Sequence, residues 1–312
     1  DETLQQDLSD ILGKIGDVLK KRGKINPAYT AYMASFEISK KITEKHEEKL
    51  EGFCHLAERL RKIGDIHVDR DELPDALAEY RESLRIVEDV IKKERRRHNW
   101  YRDLTVCHNK IGDVLRAQQD QPDKALEAYK AGLAIREHLT HSDPGNAGWR
   151  RDLLASSNKI GCVHLARGDL KDALAAFEES HQIAQHLAES DPNNAESRND
   201  LSVTYEKIGD VRMELGDYGK ARLAYQASNT IRRDLADKEP GNAEWQRSLI
   251  VSNEKMSSVA LATKKRGMAE MHLQTALVLA IDLRDTNRLL PRDEWMVGAL
   301  QTRIDALKGP AV

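Results

Sequence analysis

The chain has 312 residues, of which 32% are charged and 5% aromatic, and its formal net charge is −3. This composition is typical of a well-solvated helical protein and argues against a disordered chain or a β-sandwich. The small net charge provides no global field that would favour nucleic acid or an anionic membrane surface. The longest apolar runs, such as residues 276–281, are far too short to span a bilayer.

The cysteine content favours a reducing compartment. Cys54, Cys107 and Cys162 are odd in number and form no paired motif, which argues against a disulfide framework. Because the sequence also lacks a signal-peptide pattern, we expect the protein to be cytoplasmic. The sequence starts inside a repeat without an initiator methionine, so we expect a fragment or processed product of a longer protein.

A short phrase, Lys-Ile-Gly-Asp-Val in its commonest form, recurs six times along the chain. Successive copies are 48, 48, 49, 48 and 48 residues apart. A fixed period of about 20–50 residues predicts a stacked repeat array. The glycine position is occupied by Gly16, Gly64, Gly112, Gly161, Gly209 and, in a degenerate last copy, Ser257.

Each repeat is predicted to be a helical hairpin. In the best-preserved copy an apolar stripe begins at Trp149 and continues through Leu153, Ile160 and Val163 at helical spacing. Residues 168–169 interrupt the helix, and a second helix follows. A short turn makes the two helices antiparallel.

The second helix carries an equally regular series. A small residue, a ring four positions later and another small residue three beyond it predict close helix packing, with the ring filling the gap beside the small side chains. The glycine of the first helix would permit the same close approach from the other side. The ring position is occupied by Tyr32, Tyr80, Tyr129, Phe177, Tyr225 and, in the last copy, Leu273.

These elements predict an all-α, right-handed α-solenoid of six helical hairpins with a C-terminal capping helix. The array occupies residues 1–290 and the capping helix lies within 291–308, at Trp295–Leu307, followed by a tail at 309–312. The six hairpins are assigned to residues 1–46, 47–95, 96–144, 145–192, 193–240 and 241–288.

The repeat resembles the tetratricopeptide repeat. The resemblance rests on a glycine in the first helix, an alanine twelve residues later, a ring four beyond and a small residue three after that, and it covers about residues 3–286. The unit is longer than the family's usual 34 residues or so, which we interpret as about two extra turns on each helix. The linkers at 143–147 and 239–243 look like those of long-unit bacterial arrays, which often follow an N-terminal effector or signalling domain. The resemblance implies an interaction module without catalytic activity.

Two interpretations account for the lysine that stands two residues before the glycine in all six copies. Aspartates recur seven residues before it and three residues after it in four copies each. The first interpretation is a Lys–Asp ladder between neighbouring repeats, in which each exposed pair contributes about 0.2–1 kcal/mol. The second is a cationic rail that binds peptide carboxylates, as in some tetratricopeptide domains. We favour the ladder because the interleaved aspartates would neutralise a rail.

Positions beside the phrase vary between copies and suit partner binding better. If the face is concave, as in the family, these residues predict a central groove. The predicted partner-binding residues are Asn109, Lys110, Asp113, Arg116, Asn158, Lys159 and Glu206.

The remaining motifs favour structural interpretations. The basic run at residues 92–98 fits a helix end, where cations complement the helix dipole, or a contact to phosphate or an acidic partner. We favour the helix end, since no interleaved aromatics support nucleic-acid binding. The histidines do not join cysteines or carboxylates at ligand spacing, and no phosphate loop or nucleophile elbow occurs. We therefore predict no catalytic residue, no metal, no cofactor, and neither nucleic acid nor membrane as a partner.

The sequence thus favours a non-catalytic scaffold that binds a protein or peptide on its concave face. A second hypothesis is that the array is the regulatory or sensor half of a larger enzyme or effector, whose catalytic domain lies N-terminal to it and is itself the partner. A third is self-association into a homo-oligomer through the terminal repeats.

Overall fold

The computed structural model describes residues 2–46, 48–94, 97–118, 121–143, 145–290 and 293–308, and the described residues form thirteen α-helices without a strand. The odd-numbered helices up to α11 are the first helices of the hairpins and are called A helices; the even-numbered ones are B helices. The predicted tail at 309–312 lies outside the described residues. In chain order the helices are α1 (Glu2–Lys21), α2 (Ile25–Lys45), α3 (Leu50–Asp69), α4 (Leu73–Lys93), α5 (His98–Ala117), α6 (Pro122–Ser142), α7 (Ala147–Arg167), α8 (Leu170–Ser190), α9 (Ala195–Glu214), α10 (Tyr218–Lys238), α11 (Ala243–Ala262), α12 (Arg266–Asp285) and α13 (Met296–Lys308).

The predicted all-α array of helical hairpins closed by a C-terminal helix is confirmed. Every A and B helix has 20 or 21 residues. The capping helix begins at Met296 instead of Trp295, whose side chain is 61% exposed.

The chain divides into two compact units, Asp1–Val163 and His164–Val312, and the boundary falls within α7. In the first unit α1 to α6 pack in sequence, each on the next, and α3 also touches α5. In the second unit α8 to α13 pack in the same serial way. Contact between an A helix and the B helix that precedes it is therefore what joins one hairpin to the next.

Turn and cap residues explain where the helices stop. Gly168 and Gly216 adopt φ values of +79° and +72° at the A–B turns, in the left-handed region that glycine enters without strain. The longer connections supply asparagine caps, as the linker sequences predict. Asn194 Oδ1 accepts from the Ser197 amide at 2.9 Å, and Asn242 Oδ1 accepts from the Glu244 amide at 3.1 Å.

The repeated ring is the centre of each hairpin. Tyr80 and Tyr129 are 1% and 0% exposed. A Cβ atom added to Gly64 would lie 2.6 Å from the Tyr80 ring, and one added to Gly112 would lie 2.5 Å from the Tyr129 ring. The glycine is required because the ring occupies the space of a side chain. The tryptophans vary more: Trp100 is buried, whereas Trp149 and Trp245 are half-buried.

The C-terminal helix closes the second unit. Leu300 and Ile304 of α13 are each 2% exposed and belong to one apolar cluster with Ile250, Leu273 and Leu283. Its outward positions 301, 302 and 305 are polar and exposed. This is the polar outer face that a terminal repeat element needs for solubility.

Candidate functional site

The aspartate of the repeated phrase joins one hairpin to the next. Asp65 accepts a hydrogen bond from the Tyr80 hydroxyl of its own hairpin at 2.5 Å and another from Lys110 Nζ of the next hairpin at 2.7 Å. We call each such set of three side chains a joint cluster. The four joint clusters are Asp17–Tyr32–Lys62, Asp65–Tyr80–Lys110, Asp113–Tyr129–Lys159 and Asp210–Tyr225–Lys255.

Within each joint cluster the tyrosine hydroxyl and the lysine ammonium both donate to the aspartate carboxylate. Lys110 Nζ also lies 5.9 Å from the centre of the Tyr80 ring, within reach of a cation–π contact. Burial, followed by the charge of Asp65, raises the pKa of Tyr80 far above its usual value, so the phenol stays a donor. These contacts confirm the ladder interpretation. They also restrict it, because the lysines pair with the aspartate that follows the glycine and not with the earlier aspartate series.

The sequence changes two members of the joint cluster together. In the fourth repeat Cys162 stands at the aspartate position, and Phe177 stands at the tyrosine position. A phenylalanine ring needs no acceptor, so the loss of the carboxylate leaves no buried hydroxyl unpaired. Because the aspartate and the tyrosine are lost in the same repeat, the sequence itself contains a sign of the hydrogen bond between them.

Two of the predicted groove residues form hydrogen bonds with buried arginines. With its amide oriented to accept, Asn109 Oδ1 receives Nη1 and Nη2 of Arg136 at 3.2 Å each. Glu206 Oε2 accepts from Arg232 Nη1 at 2.5 Å. Asn109 and Glu206 are 8% and 9% exposed, so their side chains face the interior of their hairpins.

The other predicted groove residues are more accessible. Lys110, Asp113 and Lys159 belong to joint clusters and keep roughly a third of each side chain exposed. Asn158 is half-buried, and Arg116 is exposed on α5. These five residues lie in the first unit, Asp1–Val163, whereas Glu206 belongs to the second unit.

A depression of about 240 Å³ opens on the A-helix side of the first unit. It contains two of the predicted residues, Lys110 and Asp113. Val68, which is 40% exposed, is one of its apolar lining residues. Lys20 and Asp69, which form an ion pair at 3.1 Å, line it as well. Its lining residues are Lys20, Asp65, Val68, Asp69, Leu73, Tyr80, Lys110, Asp113, Val114 and Ala117.

The described part of the basic run has partners on its own surface. Lys92 Nζ donates to Asp89 at 3.0 Å, close to the end of α4. Arg97 pairs with Glu51 and lies 5.2 Å from the Trp100 ring. Arg95 and Arg96 lie outside the described residues. The described cations therefore fit the helix-end interpretation.

Two A–B turns bring one histidine and two carboxylates together. The sets are His67, Glu72 and Asp75, and His164, Asp169 and Asp172; within each set the ligand atoms lie within 4.8 Å of one another. Arg167 Nε lies 2.9 Å from Asp169, so a cation already accompanies the carboxylates of the second set. The fifth repeat has Arg212 at the histidine position, 3.8 Å from Asp217. The common feature is a contact across the turn between the side chain at this position and a carboxylate.

In the described parts of the chain, no helix has both the length and the apolar character that a bilayer span requires.

Comparison with known proteins supports the same architecture. Residues 153–193 match the family model described as "Tetratricopeptide repeat". No curated protein matches the chain significantly in sequence.

Three solved structures are similar in fold. BtubC (BKLC) from P. vanneervenii has a TM-score of 0.64 at 16% identity, covering 86% of this chain and 94% of its own. A Rap protein complexed with competence and sporulation factor has a TM-score of 0.51 at 16% identity, with 95% and 74% covered. A signal-transduction ATPase with numerous domains and a tetratricopeptide repeat sensor, from Pyrococcus horikoshii, has a TM-score of 0.54 at 11% identity, with 98% and 43% covered. The chain is thus an array of tetratricopeptide-type hairpins.

Proposed function

We propose that the chain is a non-catalytic scaffold that binds a protein or peptide segment on the A-helix side of its first unit. The observation that carries the proposal is the depression between α1, α3 and α5, where the exposed apolar side chain of Val68 is surrounded by charged pairs. An apolar pocket with a few polar groups at its rim is the usual form of a recognition site. The proposal is supported by the similarity in fold to a Rap protein that was solved in complex with competence and sporulation factor.

The proposed partner has an apolar side chain for the floor and charged neighbours for the rim. Lys110 and Asp113 present both signs of charge at the wall, and Arg116 lies three residues further along α5, exposed. Asn158 and Lys159 on α7 extend the groove proposed from the sequence. Asn109 supports it from within by holding Arg136. Glu206 holds Arg232 in the second unit and is not part of the site proposed on the first unit.

The structure also dictates how the proposal must be tested. Charge reversal of Lys110 or Lys159 would place two carboxylates together in a joint cluster, so it would weaken folding as well as binding. Val68→Asp avoids this difficulty because the side chain is exposed and belongs to no joint cluster. Arg116 is exposed but contacts the Tyr129 hydroxyl of a joint cluster, so the neutral change Arg116→Gln replaces a charge reversal there. Leu223→Asp on α10, at a position that is 58% exposed, is the matched control.

Peptides selected on the wild-type chain from a random-peptide phage library are the probe. We expect the selected peptides to lose binding to Val68→Asp, to bind Arg116→Gln more weakly, and to keep their binding to Leu223→Asp, while Val68→Asp and Leu223→Asp melt like the wild type. Unchanged binding to Val68→Asp would place the site elsewhere. The same comparison with proteins captured from a lysate identifies the natural partner.

A second candidate function is the sensor half of a larger enzyme. It is favoured by the similarity to the P. horikoshii ATPase, in which the region similar to this chain is 43% of the protein. In that role the depression would hold the ligand or domain that controls activity. The sequence encoded ahead of residue 1 decides the matter: a catalytic domain there supports this function, and an unrelated segment contradicts it.

A further inference from the structure

Helix α1 exposes an unusually complete apolar stripe. Its large apolar side chains Leu4, Leu8, Ile11, Ile15 and Val18 are 66%, 48%, 53%, 45% and 49% exposed. They are spaced four, three, four and three residues apart, and at 100° per residue they fall within about 80° of arc. The stripe is about 21 Å long. This spacing is the heptad pattern by which two helices pack against each other.

The equivalent positions in later repeats show that this face is normally covered. Ile63 and Ile66 of α3 stand where Ile15 and Val18 stand in α1, and they are 2% and 0% exposed because α2 packs on them. Lys14 occupies the position of the joint-cluster lysines, yet it forms no ion pair with any residue that the structure describes. The face of α1 is therefore built for contact with another helix.

One position distinguishes α1 from the later A helices. Where α1 has Ile11, four of the five later repeats have a small side chain that is fully or almost fully buried: Cys107, Ser156, Thr204 and Ser252. The fifth has Arg59, which is 4% exposed and reaches Asp10 of α1. In the four repeats with a small side chain, an isoleucine would overfill the space against the preceding B helix. It suits the centre of a two-helix pair, in which large apolar side chains interdigitate.

We propose that the stripe on α1 pairs with the same stripe of a second copy of this chain, in an antiparallel arrangement. Asp7 and Lys14 line one edge of the stripe, and neither has an ion-pair partner in the described parts of the chain. A two-fold axis perpendicular to the helix and passing between them, close to Ile11, brings Asp7 of each copy beside Lys14 of the other. In a parallel pair, Asp7 of one copy would instead be level with Asp7 of the other copy, and Lys14 with Lys14.

The far end of the array is a poor alternative docking site for α1. The large apolar residues Met296, Leu300 and Ile304 of α13 are buried in its own unit, and the outward positions 301, 302 and 305 are polar. Head-to-tail stacking would leave the α1 stripe against polar side chains. The isologous pair buries both stripes at once and closes the assembly as a dimer, the commonest symmetry of soluble oligomers.

The test is the mass of the full chain in solution, measured by light scattering over about a hundred-fold range of concentration. We expect a dimer for the wild type and a monomer for Ile11→Lys. Val278→Lys, on α12 at a position that is 66% exposed, is the matched control and should remain a dimer. A wild type that is monomeric throughout, or a dimer that Ile11→Lys leaves intact, overturns the proposal.

A charge exchange tests the antiparallel arrangement. Asp7→Lys and Lys14→Asp should each weaken dimerisation by about tenfold or more, because each creates like charges at the edge. The double variant Asp7→Lys/Lys14→Asp restores opposite charges and should return the dissociation constant to near the wild-type value. A double variant at least as weak as either single one contradicts the antiparallel pair. Circular dichroism melts establish that each variant is folded.

Discussion

At the scale of single residues, the carboxylate of the joint cluster makes two hydrogen bonds that differ in kind. The bond from Tyr80 lies within a hairpin, and the bond from Lys110 crosses to the next one. Asp65 therefore helps to position both helices that meet it. An exposed ion pair contributes a few tenths of a kcal/mol to stability. The carboxylate of a joint cluster contributes more, because the phenol from which it accepts a hydrogen bond is buried.

Replacing Asp65 by alanine should lower the free energy of unfolding by about 2–3 kcal/mol, because the Tyr80 hydroxyl and Lys110 both lose their acceptor. Asp89→Ala, which removes exposed pairs with Lys92 and Arg85, should leave the free energy of unfolding nearly unchanged, because exposed ion pairs are screened by solvent. Urea denaturation measures both. In an Asp65→Ala/Tyr80→Phe double variant the two effects should be less than additive, and full additivity would contradict the coupling.

The joint cluster also predicts how stability depends on pH. Burial raises the pKa of Asp17, but the hydrogen bonds from Lys62 and Tyr32 outweigh it, so the pKa lies below its ordinary value. The unfolded chain then binds this proton more readily than the folded chain. The stabilisation is fully present above about pH 4, the unfolded pKa, and is lost as the pH falls through the lower folded value.

We therefore expect the urea midpoint to fall as the pH is lowered from about 5 towards 3, and to fall less steeply in Asp17→Asn. Lys62→Met removes the cation that lowers the pKa and should reduce the slope as well. Wild-type slopes in both variants would show that this carboxylate does not contribute.

At the scale of helices, close approach depends on the contact between a glycine and a ring. A central glycine destabilises the A helix by about 1 kcal/mol relative to alanine. It is needed there because the ring of the B helix lies where a side chain would be. In the last repeat the glycine position holds Ser257 and the ring position holds Leu273. The two positions have changed together, as steric contact requires.

Gly64→Ala should destabilise the protein by about 1–3 kcal/mol despite the better helix propensity of alanine, since the new Cβ would lie 2.6 Å from Tyr80. Gly298→Ala, on a helical glycine with no atom within 4 Å of the added Cβ, should stabilise by up to about 1 kcal/mol. Thermal melts compare the two. Gly64→Ala should cost less in a Tyr80→Leu background than in the wild type, and an equal cost in both backgrounds would contradict the steric explanation.

At the scale of the whole molecule, each compact unit is a series of helices that contact mainly their neighbours in the chain. Stability in such an array is the sum of the repeat terms and the terms between adjacent repeats. A destabilising substitution at one end should therefore lower the stability of the adjacent helices and leave distant ones unchanged. The C-terminal cluster around Leu300 is a suitable place to measure this.

Leu300→Ala should cost about 2–5 kcal/mol in the second unit, because it opens a cavity at a position that is 2% exposed. Hydrogen exchange should show faster opening of α12 and α13 and unchanged protection of α3 and α4. Val278→Ala, at an exposed position on α12, is the control. Equal loss of protection in α3 would contradict serial stability.

Much of this structure could be predicted from the sequence, because the period recurs six times and each copy confirms the others. The glycine, ring and lysine positions followed directly from it. The roles of Asn109 and Glu206 did not, since their partners Arg136 and Arg232 occur in only two repeats and sit on the other helix of the hairpin. The stripe on α1 was also hidden, because Ile15 and Val18 match positions that are buried or half-buried in every later A helix.

The joint cluster makes the hairpins of the first unit interchangeable. Each one offers a carboxylate and a phenol on one side and a lysine on the other, so removing the whole second hairpin would leave Asp17 and Tyr32 facing Lys110, the same chemical pairing that Lys62 provides. An array of this kind can gain or lose whole units through gene duplication or deletion and keep this connector, although pairs such as Arg61 with Asp103 are specific to one junction. The fourth repeat keeps Lys159 but has Cys162 and Phe177 at the carboxylate and phenol positions, so it cannot offer the same connector to the repeat that follows it.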